Sequence, residues 1–166
     1  MLNSTVQLDA TDSKQGKYLT FSLENEEYGL EILKVREIIG YMNITPVPRV
    51  PEYIKGVINL RGQVIPVIDL RTKLGMPEHE ITDQTCIIVV EAAQEKTQFT
   101  AGIIVDHVQE VLDIAAESIE DTLSFGSNVS TNLIMGMAKL ENSVKILLDI
   151  DRVLGGEELN EMLSDI

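Results

Sequence analysis

Ile54-Lys55-Gly56-Val57-Ile58-Asn59-Leu60-Arg61-Gly62-Gln63-Val64-Ile65-Pro66-Val67-Ile68-Asp69-Leu70 decides the fold, because it returns 80 residues later without a gap. The second copy is Ile134-Met135-Gly136-Met137-Ala138-Lys139-Leu140-Glu141-Asn142-Ser143-Val144-Lys145-Ile146-Leu147-Leu148-Asp149-Ile150. Identical residues stand at Ile54/Ile134, Gly56/Gly136, Leu60/Leu140, Val64/Val144 and Asp69/Asp149, and the same displacement pairs Leu74 with Leu154 and Gly75 with Gly155. Self-similarity at a fixed displacement marks a duplicated unit. In each copy two β-rich runs flank a polar turn, Arg61-Gly62-Gln63 or Glu141-Asn142-Ser143, so each reads as a hairpin. Glycine and asparagine tolerate positive φ in tight turns, which predicts that conformation at Gly62 and Asn142. Asp69 and Asp149 then stand where strand becomes helix, placed to cap Leu70–Leu74 and Ile150–Leu154, with Gly75 and Gly155 at the C′ position.

A second repeat precedes each hairpin. Gly29-Leu30-Glu31-Ile32-Leu33-Lys34-Val35-Arg36-Glu37-Ile38-Ile39 matches Gly102-Ile103-Ile104-Val105-Asp106-His107-Val108-Gln109-Glu110-Val111-Leu112, displaced by 73 residues (29 to 102). The order is first part, second part, first part, second part, which implies two similar sub-structures and not a solenoid. Leu19, Phe21 and Leu23 alternate with Thr20 and Ser22 as a half-buried strand. Val47-Pro48-Arg49-Val50-Pro51 reads as a stiff extended connector. Residues 1–16 are polar and aperiodic, which predicts a flexible N-terminal tail, and Leu159, Met162, Leu163 and Ile166 predict a short amphipathic helix over 156–166. Between them, 17–155 is expected to be all-β with short helices, two small barrels whose closure removes exposed strand edges. Exchange of strands between the halves cannot be read from periodicity.

With 44% hydrophobic residues over 166 positions, the chain can bury one ordinary core. A net charge of -14 repels nucleic-acid phosphates and anionic lipid, so neither is an expected partner. The single Cys86 cannot form an internal disulfide, and Met1-Leu2-Asn3-Ser4-Thr5 shows no secretory pattern, which together predict a cytoplasmic protein. The longest apolar runs fall far short of the roughly 20 residues of a membrane span, so direct membrane insertion is not expected.

The run Tyr28 to Ile38, followed by Ile54 to Gly62 and then Ile65-Pro66-Val67-Ile68-Asp69-Leu70-Arg71, resembles the CheW family of chemotaxis coupling proteins. The resemblance continues through Gly102 to Asp106 and Val108 to Leu148-Asp149-Ile150, covering about residues 17 to 155. It implies two intertwined five-stranded SH3-like β-barrels with a groove between them. It also implies a scaffold without a catalytic centre, monomeric when free. The implied partners are the regulatory domain of the histidine kinase CheA and the cytoplasmic tip of methyl-accepting chemotaxis proteins, in receptor arrays at the inner face of the membrane. Carried over by residue, the receptor- or kinase-binding positions are Val35, Glu37, Arg61 and Val108, with Gly56, Asn59, Gly62 and Gly102 shaping the surface. The second hairpin carries Glu141-Asn142 in place of Arg61-Gly62, so the two barrels are not interchangeable.

Bland readings stand beside these. His79 and His107 lack partners at metal-ligand spacing, Cys86 reads as a small core hydrophobe, and no metal or other cofactor is expected. No phosphate loop or nucleophile–base pair is present, so no catalysis is expected. Glu24, Glu26, Glu27, Glu157, Glu158 and Glu161 read as solvated turn and helix acids. Val35, Ile38 and Val108 could equally be core, and Arg61 could be ordinary surface charge rather than a partner's anchor. The competing functions are a coupling protein of a receptor–kinase pathway other than chemotaxis, and a small acidic enzyme, which would need a deep pocket with shifted pKa values.

Overall fold

The computed structural model describes residues 14–94, 97–120, 131–155 and Leu159. Strands β1 (Gly16–Leu23), β2 (Glu26–Glu31) and β3 (Val35–Gly40) come first, then the hairpin β4 (Ile54–Leu60) and β5 (Gln63–Asp69), capped by helix α1 (Leu70–Lys73). β6 (Cys86–Gln94), β7 (Thr97–Val105), β8 (His107–Ile114) and the short β9 (Ile119–Glu120) follow. The second hairpin is β10 (Ile134–Leu140) and β11 (Ser143–Leu148), ending in helix α2 (Ile150–Val153).

These strands form two sheets, ordered β3-β6-β7-β5-β4 and β8-β1-β2-β11-β10-β9. The first uses one unbroken stretch of chain; we call it the contiguous barrel. The second takes strands from both sides of that stretch and is the split barrel. Closure is alike in both. The chain after β3 reaches β4 through the bridge Thr45↔Val57, and the chain after β8 reaches β10 through Met137↔Glu120, the repeat partner of Val57 being Met137. Both are SH3-like barrels.

The duplication is exchanged between them. β2 pairs in parallel with β11 (Leu147↔Gly29), and β7 pairs in parallel with β5 (Val67↔Gly102). Each copy therefore lends its leading hairpin to the hairpin of the other. The repeat partners Gly29 and Gly102 sit at these crossings, where a Cβ would stand 2.9 Å from Leu147 Cδ2 and 2.7 Å from Ile87 Cγ2. Close approach of neighbouring side chains, and not chain reversal, requires glycine there.

Burial on both faces explains the near-continuous apolar runs. Ile87, Val89, Ile65 and Val67 fill the contiguous barrel, while the alternate residues Ile88, Val90 and Ile68 face a central core shared with Leu19, Phe21 and Leu30 of the split barrel. Neither barrel owns that core. The split barrel's own interior is smaller, with Tyr18, Ile114, Ala138 and Leu147.

The helix caps follow expectation. Asp69 Oδ1 accepts from Arg71 N at 3.0 Å and Asp149 Oδ1 from Asp151 N at 3.1 Å. Three details differ. Arg61 (φ 52) joins Gly62 (φ 88) in the left-handed region, but Asn142 is not among the described residues with positive φ, so the second turn closes without it. The Val47–Pro51 connector is not uniformly extended, since it turns at Pro48-Arg49 with Arg49 at φ 63. The barrel begins at Gly16, not Lys17, where β1 pairs with Ile114 of β8. The expected tail and C-terminal helix lie outside the described residues, except residues 14–16 and Leu159, which is helical and buried in the central core.

Candidate functional site

The β4–β5 hairpin has a two-residue turn closed by Leu60↔Gln63. Positive φ at both turn residues matches the twist of the strands, the pattern of a type I′ turn. Such a conformation is unfavourable for arginine. The turn is braced by Asn59, whose Oδ1 accepts from Gly62 N at 2.8 Å. The result carries the Arg61 guanidinium across to Glu37 of β3, with Nη1–Oε2 at 2.7 Å and Nη2–Oε1 at 2.6 Å. Hydrogen bonding from Arg61 holds the Glu37 carboxyl below its usual range despite some desolvation. Arg61 remains 67% exposed, and Ile38, next to Glu37, and Val64, across from Asn59, expose apolar surface beside it.

Four expected residues thus converge on one tip: Glu37, Asn59, Arg61 and Gly62. Val35 and Val108 do not join them. These repeat partners begin β3 and β8 and pack, half-buried, on the central core. Gly56 and Gly102 are buried, so they shape strands and not surface. Gly56, at φ 145 beside a bulge, lies so close to the chain after β3 that a Cβ would stand 2.0 Å from Thr45 O. Both β3 and β8 bulge at matching places, between Val35 and Glu37 and between Val108 and Val111, which re-aims the side chains there.

The repeat maps Ile38 and Val64 onto Val111 and Val144, and all four are exposed. It maps Glu37 and Arg61 onto Glu110 and Glu141, which carry like charge. Each barrel therefore presents a similar apolar end with a different charge pattern.

Sequence reasoning missed Arg71. It is 4% exposed, yet its guanidinium donates to Asp106 (Nε–Oδ1 2.9 Å, Nη2–Oδ2 2.9 Å), Glu24 (Nη1–Oε2 2.9 Å) and Pro77 O (2.9 Å). Burial alone would raise the Asp106 carboxyl, but the Arg71 and Glu24 N–H hydrogen bonds pull it below its ordinary value. Glu24, expected to be solvated, is thus an ion-pair partner. Glu27 is another, bound to Lys145, itself only 6% exposed. Both acids lie in turn-like sequence whose partners are distant in the chain, so no local pattern betrays them. Among the described residues no group of three or more His, Cys, Asp or Glu side chains could hold a metal. Cys86 is free and half-buried against the central core. A cleft of about 230 Å³ beside α1 is lined by Lys55, Arg71, Glu78 and Asp106, whose charges are paired with one another.

The family described as CheW-like domain matches residues 17–158. The chain belongs to the CheW family. It is similar to the chemotaxis protein CheW of Klebsiella aerogenes, 38% identical over 94% of this chain and 92% of that one. The chemotaxis protein CheW of Bacillus subtilis is 35% identical, covering 90% of this chain and 93% of its own. A solved structure, the scaffolding protein TtCheW from Thermoanaerobacter tengcongensis, matches with a TM-score of 0.77 at 36% identity, covering 87% of this chain and 97% of its own. Membership of the CheW family makes the chain a chemotaxis coupling adaptor between receptors and the kinase CheA. No helix among the described residues is long and apolar enough to cross a membrane.

Proposed function

We propose that this chain acts without catalysis, holding the cytoplasmic tip of methyl-accepting chemoreceptors and the regulatory domain of CheA together in arrays on the inner face of the membrane. The observation that carries this reading is the Arg61–Glu37 tip: a braced turn presenting a bidentate ion pair, with exposed Ile38 next to Glu37 and exposed Val64 paired with Asn59. The type I′ turn requires positive φ at Arg61, and the Glu37 pair with the Asn59 brace fixes where its exposed guanidinium points. Arginine beside apolar surface suits a docking hot spot. Val35 and Val108, at the starts of β3 and β8, are the proposed receptor contacts between the barrels.

Co-sedimentation with receptor-containing membranes tests this, with and without CheA. The chain should pellet with receptors and draw CheA with it. Recovery of the chain in the supernatant under both conditions contradicts the proposal.

A further inference from the structure

The chain crosses between barrels at Ile32–Lys34, which joins β2 to β3, and at Asp106, which joins β7 to β8. Each crossing is fastened to a short helix by an ion pair. Lys34 Nζ binds Asp151 of α2 (Oδ2 3.0 Å, Oδ1 3.1 Å). Asp106 binds Arg71 of α1. Positions 71 and 151 are repeat partners, so the duplicated helix supplies a cation in one case and an anion in the other.

The likeness extends to the backbone. Glu24 N donates to Asp106 Oδ2 at 2.8 Å, and Ala93 N donates to Asp151 Oδ1 at 2.8 Å. Strand pairing makes Glu24 and Ala93 equivalent, since Leu23↔Glu26 corresponds to Ala92↔Phe99. The same N–H therefore meets a carboxylate drawn from the crossing in one copy and from the helix in the other. Two copies that diverged in charge retained the same three-way fastening. What is common to them is the connection between barrels, not the residues.

Each fastening includes groups from both barrels: Arg71 and Glu24 in one, Asp151 and Ala93 in the other. Each also lies beside a proposed contact, Lys34 directly before Val35 and Asp106 two residues before Val108. We infer that these two pins of opposite polarity, at the edge of the shared central core, refine the angle which that core sets between the barrels and so hold Val35 and Val108 at the spacing a receptor engages. Lys34, Asp106, Arg71 and Asp151 are positioning residues that touch no partner. The inference rests on the proposed receptor contacts, and its test separates the two.

The Lys34–Asp151 pin is the more exposed and suits mutation. Lys34→Met removes the charge and keeps most of the stem, while Lys34→Arg keeps the charge. Spin labels at the exposed positions Gln63 and Glu141, in a Cys86→Ser background, report the distance between barrels by pulsed electron resonance. Lys34→Met should broaden that distance distribution and weaken receptor binding about tenfold, by lowering the population of the competent angle. Lys34→Arg should restore both, and Arg71→Lys, which loses the planar fork, should broaden the distribution from the other pin. An unchanged distribution in Lys34→Met overturns the inference, as does a broadened one with unaltered receptor affinity. If wild type itself fails to bind receptor membranes, the receptor reading falls, and the distance distribution still decides whether the pins refine the angle.

Discussion

Arg61 and Glu37 stand at opposite edges of one five-stranded sheet, and their side chains meet through two hydrogen bonds of 2.7 and 2.6 Å. The pair spans the seam where β3 and β4 close the contiguous barrel. Arg61 is largely solvated and Glu37 partly so, which keeps the pair's worth to folding small. Its geometry fixes how a flexible arginine is offered to a partner.

Arg61→Glu should therefore leave the protein folded, with a melting temperature within about 3 °C of wild type, and cost roughly thirtyfold in partner affinity. The double variant Arg61→Glu/Glu37→Arg restores the seam while inverting the charge pattern. Recovery of binding in the double variant would assign the function to the pair; continued loss would assign it to Arg61 itself. Glu141→Arg, at the repeat-equivalent tip, should be better tolerated in receptor binding, measured by co-sedimentation.

Three glycines should rank by what surrounds them. Gly62→Ala has open space but keeps a φ of 88, a cost of about 1 kcal/mol. Gly102→Ala meets Ile87 Cγ2 at 2.7 Å inside the barrel and should cost about 1–3 kcal/mol. Gly56→Ala meets the Thr45 backbone at 2.0 Å and should cost about 3 kcal/mol or more. Urea unfolding midpoints give the order directly.

The hairpins, their aspartate caps and the duplication were legible because each rests on local pattern: Ile54 to Leu70 and Ile134 to Ile150 carry their own strands, turns and caps. The exchange of hairpins was not, since Leu147↔Gly29 joins residues more than 100 positions apart and both strand orders satisfy the same alternation. The candidate site was legible in part. Arg61, Glu37 and Asn59 were singled out, but only barrel closure shows that they form one cluster. Arg71 shows no role in the sequence, because its partners Glu24 and Asp106 come from three-dimensional proximity alone. Asn142 misled, since its residue type permits positive φ but the Glu141-Asn142 turn does not use it.

Alkaline titration should destabilise the protein progressively between pH 10 and 12. Burial, with the nearby Glu31 and Glu26 carboxylates respectively, pushes the phenols of Tyr18 and Tyr28 from 10.0 up to about 12. A raised folded pKa contributes stability that is complete below pH 10 and is lost as pH rises through about 12. Tyrosinate absorbance from these two rings should rise together with loss of near-ultraviolet circular dichroism. A rise in their absorbance well below pH 12, with the fold intact, would show that the rings are not held neutral.

Acid should act through opposing groups. Asp106 is held below its ordinary 3.8, so it contributes stability that is present above that value and lost as pH falls through its lower folded pKa. Glu27, lowered by the Lys145 hydrogen bond, acts in the same sense. Glu31 opposes them, its carboxyl raised by burial and by Asp149 and Asp151 against the pull of Lys34, so protonating it favours the fold. Asp106→Asn should flatten the acid limb below pH 4, and Glu31→Gln should raise the melting temperature at neutral pH. Thermal melts from pH 3 to 7 measure both.

Kinase activity in reconstituted receptor arrays tests the coupling role most directly. Receptor membranes and CheA are held constant while this chain is titrated in. CheA autophosphorylation should rise about tenfold or more with wild type, a coupling of ordinary size for two linked sites, and should stay near the basal rate with Arg61→Glu. A basal rate unchanged by saturating wild-type chain, in membranes where a CheW relative does activate the kinase, would contradict the role.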